Sequence, residues 1–211
     1  MGGENPQVDR FQGRIYAPSV ANSRLHQGEI LENLLQSRIT AESIRLVTAW
    51  TEESGEPKPG LVVDFAQHPL VIVLSQDCDL EQDYNARRGG GSGKLLDILF
   101  CDVYHADSLK SQLGKSLKEW KVIAENQSPR YQFLGMISTD EDAAGTGLPS
   151  LALDFKRYFT LPADEVYERL SIATTFRRCV LGTPYVEHFV QRFFSFLSRV
   201  ALPIDHPTDA G

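Results

Sequence analysis

Short apolar runs bounded by turn residues dominate the middle of the chain. The clearest are LVVDF (61–65), LVIVLS (70–75) and LLDILFCDVY (95–104). Such runs are typical of buried strands, and we predict that His68-Pro69 separates the first two. Weaker patterns predict four further strands: QGEILENLL (27–35), SIRLVTAW (43–50), RYQFLGMI (130–137) and LALDFKRYFTL (151–161).

Helical periodicity occurs in two parts of the chain. Between residues 107 and 125 we predict one helix, with Asp107 as its N-cap. Its apolar stripe consists of Leu109, Leu113, Leu117, Trp120 and Ala124. In the C-terminal part, Pro162 and Thr183-Pro184 each begin a predicted helix. The stripe of the last helix, up to about residue 201, consists of Phe189, Phe193, Phe196, Leu197 and Val200.

This order of elements predicts an α+β protein with a mostly antiparallel sheet or small barrel. Residues 1–24 are polar and are predicted to form a loose N-terminal arm. Residues 25–161 are predicted to form the sheet or barrel domain, with the helix at 107–125 inserted. Residues 162–211 are predicted to be a helical extension packed on that domain.

The net charge and the cysteine content limit the classes of function that are expected. The 211 residues carry a net charge of -7, which disfavours sequence-independent nucleic-acid binding, although a local basic groove remains compatible with it. The three cysteines form no CxxC motif, so neither a disulfide framework nor a zinc site is expected. We see no signal peptide or membrane-spanning run and expect a cytoplasmic protein.

The sharpest chemical feature is Ser-Gln-Asp-Cys-Asp-Leu (75–80), which follows the strand at 70–75. In an extended segment, Cys78 would point inward as a buried, unreactive thiol, and Asp77 and Asp79 would face a common polar pocket. The two carboxylates could bind a metal, orient an arginine or accept hydrogen bonds from loop amides. Ser75 is expected to help hold the turn. These alternatives remain open at the level of sequence.

The segment GGGSGK (89–94) does not fit a phosphate-binding P-loop. The position of the first required glycine is Arg88, and the residue after Lys94 is Leu95 instead of Ser or Thr. A flexible loop is the better interpretation, and Arg87 and Arg88 could give that loop a preference for anions.

Two short motifs resemble the PemK-like and MazF-like toxin family. They are GEIL (28–31) and HPLVIVLSQ (68–76). The resemblance implies an SH3-like antiparallel β-barrel from bacteria, usually dimeric, and many members cleave single-stranded RNA. The family commonly has a catalytic arginine before the proline, where this chain has His68. Near the family's next catalytic position the chain has His105 and Asp107, without the usual threonine.

Two functions are therefore expected. The first is a binding or regulatory module on a toxin-like barrel, in a toxin–antitoxin or phage-defence setting. The alternative is a metal-free endoribonuclease that uses His68 and His105 for proton transfer, supported by Asp77 or Asp79. The missing arginine and the acidic charge favour the first. We expect no cofactor, a protein partner or homodimer, and RNA as the alternative partner; Phe194 is a candidate contact residue.

Overall fold

The computed structural model describes residues 14–49, 60 and 62–198. The described elements are β1 Tyr16–Pro18, β2 Glu29–Ile39, α1 Ala41–Ala49, β3 Val63–Val73, α2 Asp77–Arg88, β4 Asp97–His105, α3 Ala106–Leu113, α4 Leu117–Ala124, β5 Tyr131–Leu134, β6 Leu151–Pro162, α5 Ala163–Ser171, β7 Phe176–Leu181 and α6 Tyr185–Leu197. None of the described helices is long and apolar enough to cross a membrane.

The seven described strands form one antiparallel sheet in the order β1-β7-β2-β3-β4-β6-β5. The predicted α+β class and antiparallel sheet are confirmed. The sheet is open, with β1 and β5 at its two edges, so the described part of the chain does not form a closed barrel.

Both faces of the central strands are buried, which explains their uninterrupted apolar sequence. On β3, Leu70 and Ile72 belong to a core cluster that also contains Phe193 of α6. The alternate residues Val71 and Val73 belong to a second cluster, covered by α2 and α5. A third, smaller cluster joins α3 and α4 to β5 and β6. The strands predicted at 70–75, 95–104, 130–137 and 151–161 are confirmed, as is the strand predicted at 27–35.

His68-Pro69 does not separate two strands, because β3 continues through both residues. Pro69 lacks an N–H and lies between two paired positions, opposite Asn33 of β2, which has a left-handed φ of 61°. Leu31 and Leu34 are three positions apart, yet both belong to the second core cluster. The alternation of faces therefore shifts by one residue at this point, and His68, paired with Leu34, turns toward the second cluster.

The segment predicted as a strand at 43–50 is helical over Ala41–Ala49, and Trp50 lies outside the described residues. Thr40 acts as the cap: its hydroxyl accepts a hydrogen bond from the amide of Ser43 at 3.1 Å. Ile44 and Leu46 remain about half exposed, so these two apolar residues are not buried against the sheet as a strand would require. Local capping outweighed β-propensity here.

The helix predicted over 107–125 is two helices, α3 and α4. Gly114 ends the first in a left-handed conformation with φ of 57°, which glycine adopts without strain. A capping box formed by Ser116 and Glu119 begins the second. Asp107 lies in the first turn of α3, and its predicted N-cap position is occupied by His105.

Two strands lie where the sequence predicted an arm and a helical extension. β7 lies between β1 and β2 in the sheet, although residues 162–211 were predicted to be helical. β1 pairs with β7, so residues 16–18 belong to the sheet instead of a loose arm. The predicted helix starts at 162 and 183–184 are confirmed to within one or two residues.

Candidate functional site

The side chain of His68 on β3 is buried, and its ring contacts Asp102 and Phe159. Its Nδ1 lies 2.5 Å from Oδ1 of Asp102, and its ring stacks on Phe159 with 4.0 Å between centroids. The Tyr104 hydroxyl donates to the second oxygen of Asp102 at 3.3 Å. Nε2 of His68 is buried and has no hydrogen-bond partner among the described residues. A ring nitrogen without accessible surface cannot exchange a proton with a substrate unless the structure moves.

The second predicted histidine lies in a different environment. His105 is exposed at the end of β4, where it occupies the N-cap position of α3. The hydrogen bond of the His68 ring is made to Asp102, not to His105. The arrangement is therefore one buried histidine–aspartate pair and one surface histidine.

The Ser-Gln-Asp-Cys-Asp segment does not remain extended, because α2 begins at Asp77. On a helix, positions i and i+2 do not face each other, so Asp77 and Asp79 share no pocket. Asp77 accepts hydrogen bonds from the Arg24 guanidinium at 2.7 Å and the Gln27 amide at 2.9 Å. Asp79 is exposed. The Ser75 hydroxyl accepts from the amide of Leu99 at 2.9 Å, which ties the turn to β4.

Asp77 anchors the loop that precedes β2. Burial alone would raise the pKa of Asp77, but hydrogen bonds from His26, the Gln27 amide and Arg24 bring it to about 2. The carboxylate is therefore ionised at neutral pH. Of the roles left open by the sequence, this geometry corresponds to orienting an arginine and accepting from a loop amide. Among the described residues, no group of three or more His, Cys, Asp or Glu side chains is arranged to hold a metal ion.

The predicted burial of Cys78 is wrong, because the helical start at Asp77 turns the thiol outward. Cys101 and Cys179 are buried, and burial raises the pKa of both thiols. We expect a maleimide at pH 7.5 to label the folded protein once, at Cys78. Mass spectrometry of the intact protein and its peptides provides the measurement, with Cys78→Ser as the control that takes no label. Three labels on the folded protein, or none, would contradict this assignment.

Arg87 and Arg88 are less available to anions than the sequence suggested. Arg87 donates to Asp83 at 2.8 Å and to Asp164 at 2.5 Å, and Arg88 lies over the ring of Tyr84. Asp83 also accepts from the amides of Lys94 and Leu95, which anchors the end of the glycine-rich loop. The Arg87 charge therefore serves to hold α2 against this loop and α5.

A cavity of about 730 Å³ opens beside α2, α5 and β7. Its volume lies within the range of small-molecule sites. It is lined by Ser19, Ala21, Asn22, Ser23, Leu25, Glu32, Tyr84, Ala143, Ala144, Tyr167, Leu170, Ser171, Ala173, Thr175, Phe176 and Arg177. Sequence reasoning missed this site, since its lining comes from several separate segments and contains no short motif.

One wall of the cavity is fixed by Arg177 at the start of β7. Its guanidinium donates to Glu29, which is fully buried, at 2.6 Å. The same group donates to the carbonyls of Ser23 and Arg24, each at 2.7 Å. Together with the bond between Arg24 and Asp77, these contacts hold the loop of residues 19–25 in place. The predicted site residue Asp77 thus supports the cavity wall from outside it.

A second wall of the cavity, which includes Ala143 and Ala144, is held by Arg178 and Asp142. The Arg178 guanidinium donates to both oxygens of Asp142 at 2.7 Å, and to Glu32 at 2.6 Å. Asp142 also accepts from the amides of Ala144 and Gly147. Burial opposes the ionisation of Asp142, but the Arg178 hydrogen bonds and the loop amides lower its pKa to about 2. The ion pair therefore holds the 143–147 loop at the cavity.

Comparisons with known proteins add no relative. No family model, no curated protein and no solved structure matches this chain. The resemblance to the PemK-like and MazF-like toxins therefore rests on the two short motifs alone.

Proposed function

We propose that this chain is a binding module whose cavity between α2, α5 and β7 takes a small organic molecule. The observation that carries the proposal is the cavity itself, with its volume of about 730 Å³ and its mainly apolar and aromatic lining. The ion pairs of Arg177 and Arg178 hold the two walls before any ligand arrives. Such preorganisation reduces the entropic cost of binding.

This proposal retains the expected binding or regulatory role, and with it the expected toxin–antitoxin or phage-defence setting. In such a setting, a protein partner or a second copy of the chain would respond to the bound state. The ribonuclease alternative has weaker support, because Nε2 of His68 is buried and His105 lies on the surface. An acid–base pair for RNA cleavage needs both groups within reach of the same phosphodiester.

A fragment screen by saturation-transfer NMR tests the proposal without assuming a ligand class. We expect aromatic fragments to bind the wild-type protein and to lose binding in Ala144→Trp, whose new side chain would fill part of the cavity. Ala49→Trp, at an exposed position on α1, is the matched control and should keep all hits. Melting temperatures verify that both variants fold. If no fragment binds, or if Ala144→Trp keeps every hit, the proposal fails.

A further inference from the structure

Ser19 is one of two described lining residues whose buried hydroxyl has no hydrogen-bond partner among the described residues; the other is Tyr167. Ser19 follows β1 and is only 8% exposed, and its backbone amide donates to the carbonyl of Arg178 at 3.2 Å. Its hydroxyl, in contrast, has no hydrogen-bond partner among the described residues. Buried hydroxyls are nearly always paired, because an unpaired one loses its hydrogen bonds to water without replacement. The Ser19 Oγ atom has no accessible surface, so it can donate to or accept from a molecule in the cavity only if the wall moves slightly to expose it.

The second polar group is the carboxylate of Glu32. One of its oxygens accepts from Arg178 at 2.6 Å. None of the described residues donates to its other oxygen, and the side chain is 42% exposed at the cavity. This oxygen is an acceptor for an N–H or O–H donor, and its charge disfavours an anionic ligand.

The cationic group in the described lining is not available to balance a negative ligand. The Arg177 guanidinium binds both oxygens of Glu29 and the carbonyls of Ser23 and Arg24. Four of its five N–H donors are engaged in these bonds. A phosphate or carboxylate group would therefore meet the Glu32 charge without a free arginine or lysine among the described lining residues.

Three aromatic rings line the same space. Tyr84 is held in place by its hydroxyl, which donates to the Asn22 carbonyl at 2.9 Å. The ring of Tyr167 lies beneath the Arg87 guanidinium, with 4.7 Å to the centroid. Phe176 is 49% exposed, which is unusual for a phenylalanine on a strand in the interior of the sheet. Flat rings favour a flat partner that can stack on them.

We propose that the cavity binds an uncharged, planar nitrogen heterocycle with an exocyclic amino group, the chemistry shared by amino-bearing nucleobases, their nucleosides and simple aminoheterocycles. The heterocycle packs on the aromatic lining. Its amino group donates to the free oxygen of Glu32, and the Ser19 hydroxyl, exposed by a small shift of the cavity wall, donates to a ring nitrogen. This inference rests on the proposed function and adds the ligand class to it.

Isothermal titration with four matched probes tests the ligand class. Adenosine has the amino group, inosine replaces it with an oxo group, AMP adds a phosphate to adenosine, and 2-aminopyrimidine lacks the sugar. We expect adenosine to bind about tenfold more tightly than inosine, as one lost charge-assisted hydrogen bond predicts. AMP keeps the amino group but should also bind more weakly than adenosine, because its phosphate meets the Glu32 charge without a free cation among the described lining residues. If 2-aminopyrimidine binds, the heterocycle alone is recognised. If adenosine binds and 2-aminopyrimidine does not, the recognised ligand is a nucleoside.

Variants connect that binding to the named residues. Glu32→Gln keeps the size of the side chain, and Ser19→Ala removes only the hydroxyl; each is expected to weaken adenosine about tenfold. Phe176→Ala should do the same through lost stacking. Ser111→Ala and Phe194→Ala are the matched controls, because both positions are exposed and lie outside the cavity lining. These controls should bind adenosine like the wild type.

Two results would overturn the inference. One is equal binding of adenosine, inosine and AMP; the other is adenosine binding that neither Ser19→Ala nor Phe176→Ala weakens. If fragments of other chemistry still occupy the cavity and are lost in Ala144→Trp, the ligand class is wrong while the proposed function stands. If no fragment binds at all, both fail.

Discussion

Arg178→Ala is expected to lower the free energy of unfolding by about 3–5 kcal/mol, the range found when one partner of a buried ion pair is removed. The side chain of Asp142 is fully buried, and the variant would leave its charge without the guanidinium that compensates it. The Glu32 carboxylate would lose the same partner. Urea denaturation followed by circular dichroism measures the change.

Arg38→Ala is the matched control, since Arg38 is exposed and, within the described part of the chain, donates only to the nearby side chain of Gln36. We expect this surface change to cost less than about 0.5 kcal/mol. A loss of under about 1 kcal/mol for Arg178→Ala would show that Asp142 finds another partner or takes up a proton.

The same ion pair predicts a pH dependence. The pKa of Asp142 is about 2 in the folded protein, below the ordinary 3.8. The group therefore contributes stability above pH 4, and this contribution is lost as the pH falls through the folded pKa. The difference in unfolding free energy between wild type and Arg178→Ala should accordingly narrow between pH 5 and about pH 2. A difference that stays constant over this range would contradict the assignment.

Phe193→Ala has the second large expected effect, a loss of about 3–5 kcal/mol in the free energy of unfolding. Phe193 is 1% exposed, and its ring packs edge-on against Phe155 and Tyr158 at 5.6 and 5.7 Å between centroids. Truncation would leave a cavity between α6 and the sheet, in addition to the lost burial of the ring. Thermal or urea denaturation provides the measurement.

Its neighbour Phe194 is the control, because it lies on the same helix but is 47% exposed. We expect Phe194→Ala to cost less than about 1 kcal/mol. If the two variants were equally stable, α6 would not cover the sheet as described.

Several elements could be predicted from the local sequence because each leaves a recognisable pattern within a short segment. The strands at 70–75 and 95–104 were predictable, since a sheet buried on both faces requires continuous apolar residues. The starts of α5 and α6, directly after Pro162 and Pro184, could be predicted from residues that commonly precede or begin helices. Phe193 was correctly identified as a core residue from the helical stripe.

Other local signals were present and were outweighed by a competing interpretation. The cap at Thr40 and the box at Ser116 and Glu119 are short motifs that mark the starts of α1 and α4. The apolar composition of 43–50 instead favoured a strand, and the continuous stripe through Gly114 favoured a single helix. Both predictions were wrong. Asp77 begins a helix after a strand, and its acidic side chain suits that position.

The sequence by itself determined the α+β class, the central antiparallel strands and the helix that covers them, because burial and capping act within short segments of chain. Only the tertiary structure decided that β7 completes the sheet, that His68 faces Asp102, and that Asp77 supports a cavity wall. Each of these depends on residues that are distant along the chain. A cavity has no periodicity of its own, since it is the space that several packed segments leave between them.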